Sequence, residues 1–142
     1  MNGRKETLLL GVFALLCVGC SAPMGFVQTS EPTWATIELR ETVTQEKAWP
    51  LVIDLLTKRF DIAYMSKESG YARTGWLYTW TGELRADYRV RATIKFPLQG
   101  KTIDVKSEAE YGRAFGWVRG TDTRLLQTLK SDIMGTLGRV TR

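Results

Sequence analysis

Few residues in this 142-residue sequence are equipped for chemistry. There is no histidine. That removes the usual imidazole base, the Ser-His-Asp and Cys-His nucleophile systems, and His-ligated zinc. The two cysteines, Cys17 and Cys20, both fall in the first twenty residues. Glu108 and Glu110 are two apart, a spacing that sends both carboxylates to one side of a strand. Paired carboxylates run glycoside hydrolysis, but these alternate with apolar residues and show no sign of a cleft. Gly112, Gly116 and Gly120 have neither the spacing nor the Lys of a phosphate loop, and read as loop and cap positions. No catalytic residue, metal ligand or cofactor site is assigned.

Two constellations remain as a candidate interaction surface. Trp76, Tyr78 and Trp80 form an aromatic stripe at alternate positions. It is either core beneath a helix or, if the opposite face is the buried one, an exposed groove for a peptide, glycan or acyl chain. Arg85, Arg89, Arg91, Lys95, Lys106, Glu108 and Glu110 share the wet face of a sheet. They read either as cross-strand ion pairs of about 0.2–1 kcal/mol each, or as a mixed-charge docking surface. Trp76, Tyr78, Trp80, Arg89, Arg91 and Lys106 are the residues carried forward.

The elements that must position them follow from hydrophobic period. Residues 34–43 open with Ile37 and Leu39 alternating with Glu38 and Arg40, a half-buried strand. From Thr44 the spacing of Trp49, Val52, Leu55, Leu56 and Phe60 is helical, with Thr42 or Thr44 as cap and Pro50 expected in the first turn or at a kink. Period two returns at Phe60, Ile62 and Tyr64. A turn at Glu68-Ser69-Gly70 leads to a run over 71–80, and a second turn leads to a run over 84–96. Residues 103–111 follow after a hairpin around Gly100. In the last two runs Leu84, Ala86, Tyr88, Val90, Ala92, Ile94 and Phe96, then Ile103, Val105, Ser107, Ala109 and Tyr111, face one way. Phe115, Trp117 and Val118, between glycines, pin a loop or form a short strand. Thr121 or Asp122 caps a final helix with Leu125, Leu126, Leu129, Ile133, Met134 and Leu137 as its stripe. Gly138 is its stop, and Arg139 and Arg142 suit its negative end. The order β-α-β-β-β-β-α predicts a two-layer α+β domain, an antiparallel sheet with two helices on one face.

The first twenty residues read differently. Arg4 and Lys5 precede an apolar run over 8–18. About eleven residues cannot cross a bilayer core, which needs about 20. This is the pattern of a secretory signal. Its end, Cys17-Val18-Gly19-Cys20, resembles the lipobox of bacterial lipoproteins, with Gly19 as the small residue before a lipidated Cys20. The resemblance implies a signal peptide over 1–19, a lipidated N-terminus and tether over 20–33, and a folded domain over 34–142. Loss of Arg4, Lys5 and Glu6 lowers the net charge from +5 to +4. No dense basic run points to nucleic acid. Residues 21–33 are rich in Ser, Thr and Pro, and span about 45 Å at most. Ser21 after the cysteine implies, by the same resemblance, the periplasmic face of the outer membrane.

The domain resembles the helix-grip domains of the BamC family, lipoproteins of the outer-membrane β-barrel assembly machinery. The strings that carry this are Ala48-Trp49, Glu68-Ser69-Gly70-Tyr71, Thr74-Gly75-Trp76, Tyr88-Arg89-Val90-Arg91, and 122–129 in the last helix. The likeness covers about residues 34–138. The family carries two such domains and a long N-terminal partner-binding segment, whereas this sequence offers one domain and a short tether. The resemblance implies a non-enzymatic interaction or scaffold module, anchored by its lipid, with an envelope protein partner near barrel assembly. The alternative is a periplasmic lipid- or small-ligand-binding module, since some helix-grip domains enclose a cavity. The large aromatics at core positions argue against a roomy one.

Overall fold

The computed structural model describes residues 21–139; the signal peptide expected over 1–19, Cys20 and Arg142 lie outside them. The chain forms β1 (Phe26–Gln28), β2 (Ala35–Glu38), α1 (Gln45–Thr57), β3 (Ile62–Ser66), β4 (Tyr71–Thr74), β5 (Tyr88–Lys95), β6 (Thr102–Arg113), β7 (Gly116–Asp122) and α2 (Thr123–Leu137). It is an α+β domain with one antiparallel sheet in the order β1-β7-β6-β5-β4-β3, and β2 also pairs with β6. Among the described residues no helix is long and apolar enough to cross a membrane.

β6 is the axis of the sheet. β5 runs along it with eight residue pairs, from Tyr88↔Tyr111 to Lys95↔Asp104. The other side of β6 is shared: β2 takes Thr102 to Val105 and β7 takes Ala109 to Arg113. Period-two alternation in β5 and β6 sends Tyr88, Val90, Ala92, Ile94, Ile103, Val105, Ala109 and Tyr111 into one core. Ala48, Val52 and Leu56 of α1 and Leu125, Leu129, Ile133 and Leu137 of α2 close that core from the same side.

The helix ends are set as their sequences imply. The Thr44 hydroxyl accepts from the Lys47 amide at 3.3 Å, so Thr44 is the cap of α1. Pro50 sits one turn further in than expected. Its missing N–H leaves the Glu46 carbonyl without a helical partner, on a side of α1 where both residues are exposed. Asp122 caps α2, its Oδ1 accepting from the Leu125 amide at 2.8 Å. At the far end of α2 the Gly138 amide donates to the Met134 carbonyl, and the Arg139 and Arg40 amides knit the terminus to β2. The Arg40 guanidinium donates to the Thr136 carbonyl, so a residue of the β2 side supplies the cation at that negative end.

Three expectations are corrected. The part of the expected tether that is described, residues 21–33, is not free: Phe26–Gln28 forms a strand on β7. Pro23 is buried, and the Phe26 ring lies 6.0 Å from Tyr88 and 5.9 Å from Tyr111. A three-residue strand with one inward side chain is too short for periodicity to reveal. It is held because Gly120 lets it approach: a Cβ there would stand 2.3 Å from the Val27 carbonyl oxygen. Second, of the two readings of the glycine-punctuated stretch it is a strand that forms, the seven-residue β7, which together with β1 gives the sheet seven strands where five were expected. Third, the run over 84–96 becomes strand only at Tyr88. Leu84 and Ala86 lie in an exposed loop closed by the Arg85 amide on the Tyr78 carbonyl.

The turn at Glu68-Ser69-Gly70 is present, and it requires glycine. Gly70 has φ +62°, and a Cβ would meet the Phe96 carbonyl oxygen at 2.6 Å. β3, at the sheet edge, carries a register shift between Ile62 and Tyr64. Tyr64 is consequently half exposed instead of continuing the alternation begun at Phe60.

The Asp122 carboxylate is fully buried and also accepts from the Tyr88 hydroxyl at 2.6 Å. Burial, then that hydrogen bond, pushes the Tyr88 phenol far above its ordinary range and keeps it a donor. Removing the carboxylate deletes a cap and strands a buried hydroxyl. Asp122→Ala should therefore lower unfolding free energy by about 2–4 kcal/mol in urea titration, and Tyr88→Phe, which strands an oxygen of the buried carboxylate, by about 1.5–3 kcal/mol.

Candidate functional site

The face of the sheet away from the helices is built by the alternate residues of β5 and β6. Because the register sets Arg89 opposite Glu110 and Arg91 opposite Glu108, each arginine meets a carboxylate directly across the ladder. Arg89 donates to Glu110 through Nε at 2.8 Å and Nη2 at 2.5 Å. Arg91 donates to both oxygens of Glu108 through Nε and Nη2 at 3.1 and 3.2 Å, a two-point fork. Lys106 reaches Glu108 at 3.8 Å and Arg119 reaches Glu110 at 3.6 Å. The two Arg–Glu pairs are about four-fifths buried, not free surface charge.

Aromatic rings provide the cover. The Arg89 guanidinium lies 4.6 Å from the Trp76 ring and 4.5 Å from the Trp117 ring, and Arg91 lies 4.4 Å from Trp76. The Lys106 ammonium stands 4.9 Å from the Trp34 ring. These are cation–π distances, each worth about 0.5–1 kcal/mol or more as water is excluded. Arg89 Nη1 also donates to the Tyr78 hydroxyl at 3.0 Å. Planar guanidinium groups that stack on one side and fork to a carboxylate on the other have little freedom left, so the surface is fixed before any partner arrives.

Of the residues expected at an interaction surface, the structure brings together Trp76, Tyr78, Arg89, Arg91 and Lys106, the last through Glu108. Trp80 does not join them. It packs against the hydrophobic core, while Leu77, bridged to Val90 between the two other rings, also points inward. The stripe fails because the strand ends at Thr74 and a turn intervenes after Tyr78, where the Gly82 amide returns to the Thr79 carbonyl. Period two therefore holds from Trp76 to Tyr78 and is lost before Trp80.

Trp34 and Trp117 belong to the surface and were not singled out from sequence. They keep 39% and 43% of their area exposed, so each ring has one side on a cation and another available. Trp117-x-Arg119 shows the right alternation, but the glycines on either side mask it.

Burial pushes the Glu108 carboxyl up, but the hydrogen bond and charge of Arg91, with Lys106 and Thr93 beside them, hold it below its ordinary value. A carboxylate kept ionised is the opposite of what a general acid requires. Among the described residues no group of three or more Cys, Asp or Glu side chains is placed to hold a metal. The depression beside Trp76, Arg91, Glu108 and Arg119 has about 150 Å³, below the about 300 Å³ at which small-molecule pockets begin. A larger open groove of about 330 Å³ lies elsewhere, at the start of α1, lined by Gln45, Trp49, Phe96 and Leu98.

The depressed carboxyl has a consequence for acid stability. Its contribution is present above 4.5, the ordinary value, and is lost as pH falls through the lower folded-state value. Glu108→Gln should flatten the loss of thermal stability between about pH 5 and pH 3, while lowering Tm at neutral pH. Scanning calorimetry of both proteins across that window checks this.

No protein-family model matches this sequence, and no curated protein does so.

Proposed function

We propose that this chain is a lipid-anchored interaction module of the bacterial cell envelope, with no enzymatic activity of its own. The observation that carries the interaction role is the outer sheet face. Partly exposed Trp34 and Trp117 rest on an array of Arg89, Arg91 and Lys106 already locked by Glu108 and Glu110. Tryptophan and arginine in rigid, partly dehydrated settings are the residues from which interface hot spots are made. Preorganisation means a partner does not have to order them. The anchor rests on the sequence of the leader, with Gly19-Cys20 following the apolar run. Ser21 favours the outer membrane, and the likeness to the BamC family makes barrel-assembly components the first partners to test.

A second reading, a ligand-binding module, is favoured by the groove beside Trp49 and Phe96, whose rings lie 5.4 Å apart. Its size is at the low end for a small molecule and it is open to solvent.

The discriminating experiment is photocrosslinking in cells with a benzophenone residue at Trp117, and separately at Leu98 in the groove. A defined envelope protein crosslinked from position 117, and lost in the Cys20→Ser chain, supports the interaction reading. Crosslinks from position 98 alone, to a small molecule or lipid, favour the second. Fractionation supplies the control for the anchor: the native chain should sediment with the outer membrane of a Gram-negative host and Cys20→Ser should not. Recovery of Cys20→Ser in that fraction would overturn the anchored reading.

A further inference from the structure

The register of the sheet sorts the outer face into rows that cross the strands. Tyr64 pairs with Arg73, Arg73 with Thr93, and Thr93 with Lys106. The Lys106 ammonium then meets the Trp34 ring at 4.9 Å. This row holds two cations and no carboxylate. The rows on either side hold one of each: Lys95 lies opposite Asp104, and Arg91 opposite Glu108. Four cations therefore face two carboxylates over the three rows, and the surplus sits in the middle one.

The fold does not neutralise that surplus from within. Arg73 is half-buried, and among the described residues its Nε is shielded from water without a hydrogen-bond partner. A buried donor left unpaired costs stability, and a bound acceptor recovers that cost. The nearby carboxylates are engaged elsewhere. Glu108 accepts from two Arg91 nitrogens and from the Thr93 hydroxyl at 3.2 Å, and meets Lys106 only at 3.8 Å. Asp104 accepts from the Thr36 hydroxyl at 2.7 Å. None of the ion pairs on this face includes Arg73.

We propose that this row is the docking line for an extended acidic segment of a protein partner, laid across the strands with carboxylates on Arg73 and Lys106. The inference rests on the outer face being the interaction surface, and names what that surface takes. Strands lie about 4.8 Å apart, so the five positions from Tyr64 to Trp34 span about 19 Å, the reach of about six extended residues. Alternate side chains of such a segment recur about every 6.7 Å, a spacing that the long stems of Arg73 and Lys106 accommodate. The guanidinium fork matches a carboxylate at two points. Tyr64 and Trp34 close the two ends of the line and remain 53% and 39% exposed. They offer apolar area to the flanking side chains of a peptide, which a free phosphate has no group to use.

Nitrogen-15 NMR of the full chain tests this, because the Arg73 Nε–Hε group gives its own signal. Hexaglutamate should move that signal together with the Thr93 and Lys106 amides. Its dissociation constant should rise by about fivefold or more in the double variant Arg73→Gln, Lys106→Gln. Lys47 and Lys58 are exposed at the two ends of α1, on the other side of the sheet. The charge-matched control Lys47→Gln, Lys58→Gln should raise the constant by less than about twofold. Equal losses in both variants, or an Arg73 signal that stays in place, overturn the inference; the latter is read on the native chain, whatever the folding of the variants. An Arg73 signal moved by inorganic phosphate or by phosphatidylglycerol vesicles, and not by hexaglutamate, overturns it in favour of a free anion or a lipid surface. Photocrosslinking from position 117 separates it from the role on which it rests. No protein captured there overturns both. A partner captured at undiminished yield in Arg73→Gln, Lys106→Gln overturns the acidic-segment inference alone.

Discussion

One buried carboxylate joins most of the elements of this domain. Asp122 is the last residue of β7 and the cap of α2, and its side chain bonds the Leu125 amide and the Tyr88 hydroxyl. Its carbonyl accepts from the Ser107 hydroxyl at 2.6 Å, and it is the register partner of Phe26. Strands β1, β5, β6 and β7 and helix α2 therefore meet at one residue. A fully buried carboxylate is tolerable only when its oxygens are occupied, so the arrangement demands all of its partners at once. The same residue ties the start of α2 to Ser107 in the middle of β6, the strand whose other face carries the arginine–glutamate ladder.

The two faces of β6 show how one strand serves two solvents. On the helix side Ile103, Val105, Ala109 and Tyr111 are removed from water and supply the hydrophobic driving force. On the other side Lys106, Glu108 and Glu110 would be ordinary surface charges, worth little each. They become more because Trp34, Trp76 and Trp117 cover the cations from above. The cover lowers the local dielectric and strengthens both the ion pairs and the cation–π contacts. The result is a half-dry polar layer, its charges paired and its rings partly open to water.

How much of this was legible in sequence depends on length and on period. The α+β class, the two helices, the caps at Thr44 and Asp122, and the pairing of β5 with β6 come from strong local signals repeated over many residues. β1 was invisible because three residues hold only one inward side chain, Phe26, and its reason for docking is a space left by Gly120, far away in the chain. β7 was half visible, its alternation interrupted by the glycines that allow the docking. The charged half of the candidate surface followed from alternation alone. Its aromatic half did not. Trp80 was grouped wrongly because a turn resets the period, and Trp34, just before β2, and Trp117, in β7, reach the ladder from segments whose partners only the topology reveals.

The sheet is also notable for what its margins offer. Among the described residues its outer strands are β1, β2 and β3, of three, four and five residues, and the end of β2 is already bonded by the Arg139 amide. The longest of them is broken by the register shift at Ile62/Tyr64. Extending a sheet with an added strand needs a straight row of unpaired amides and carbonyls, and none of these edges supplies one of useful length. Edge-to-edge growth, whether recruitment of an extended peptide or uncontrolled polymerisation between copies, is thereby discouraged.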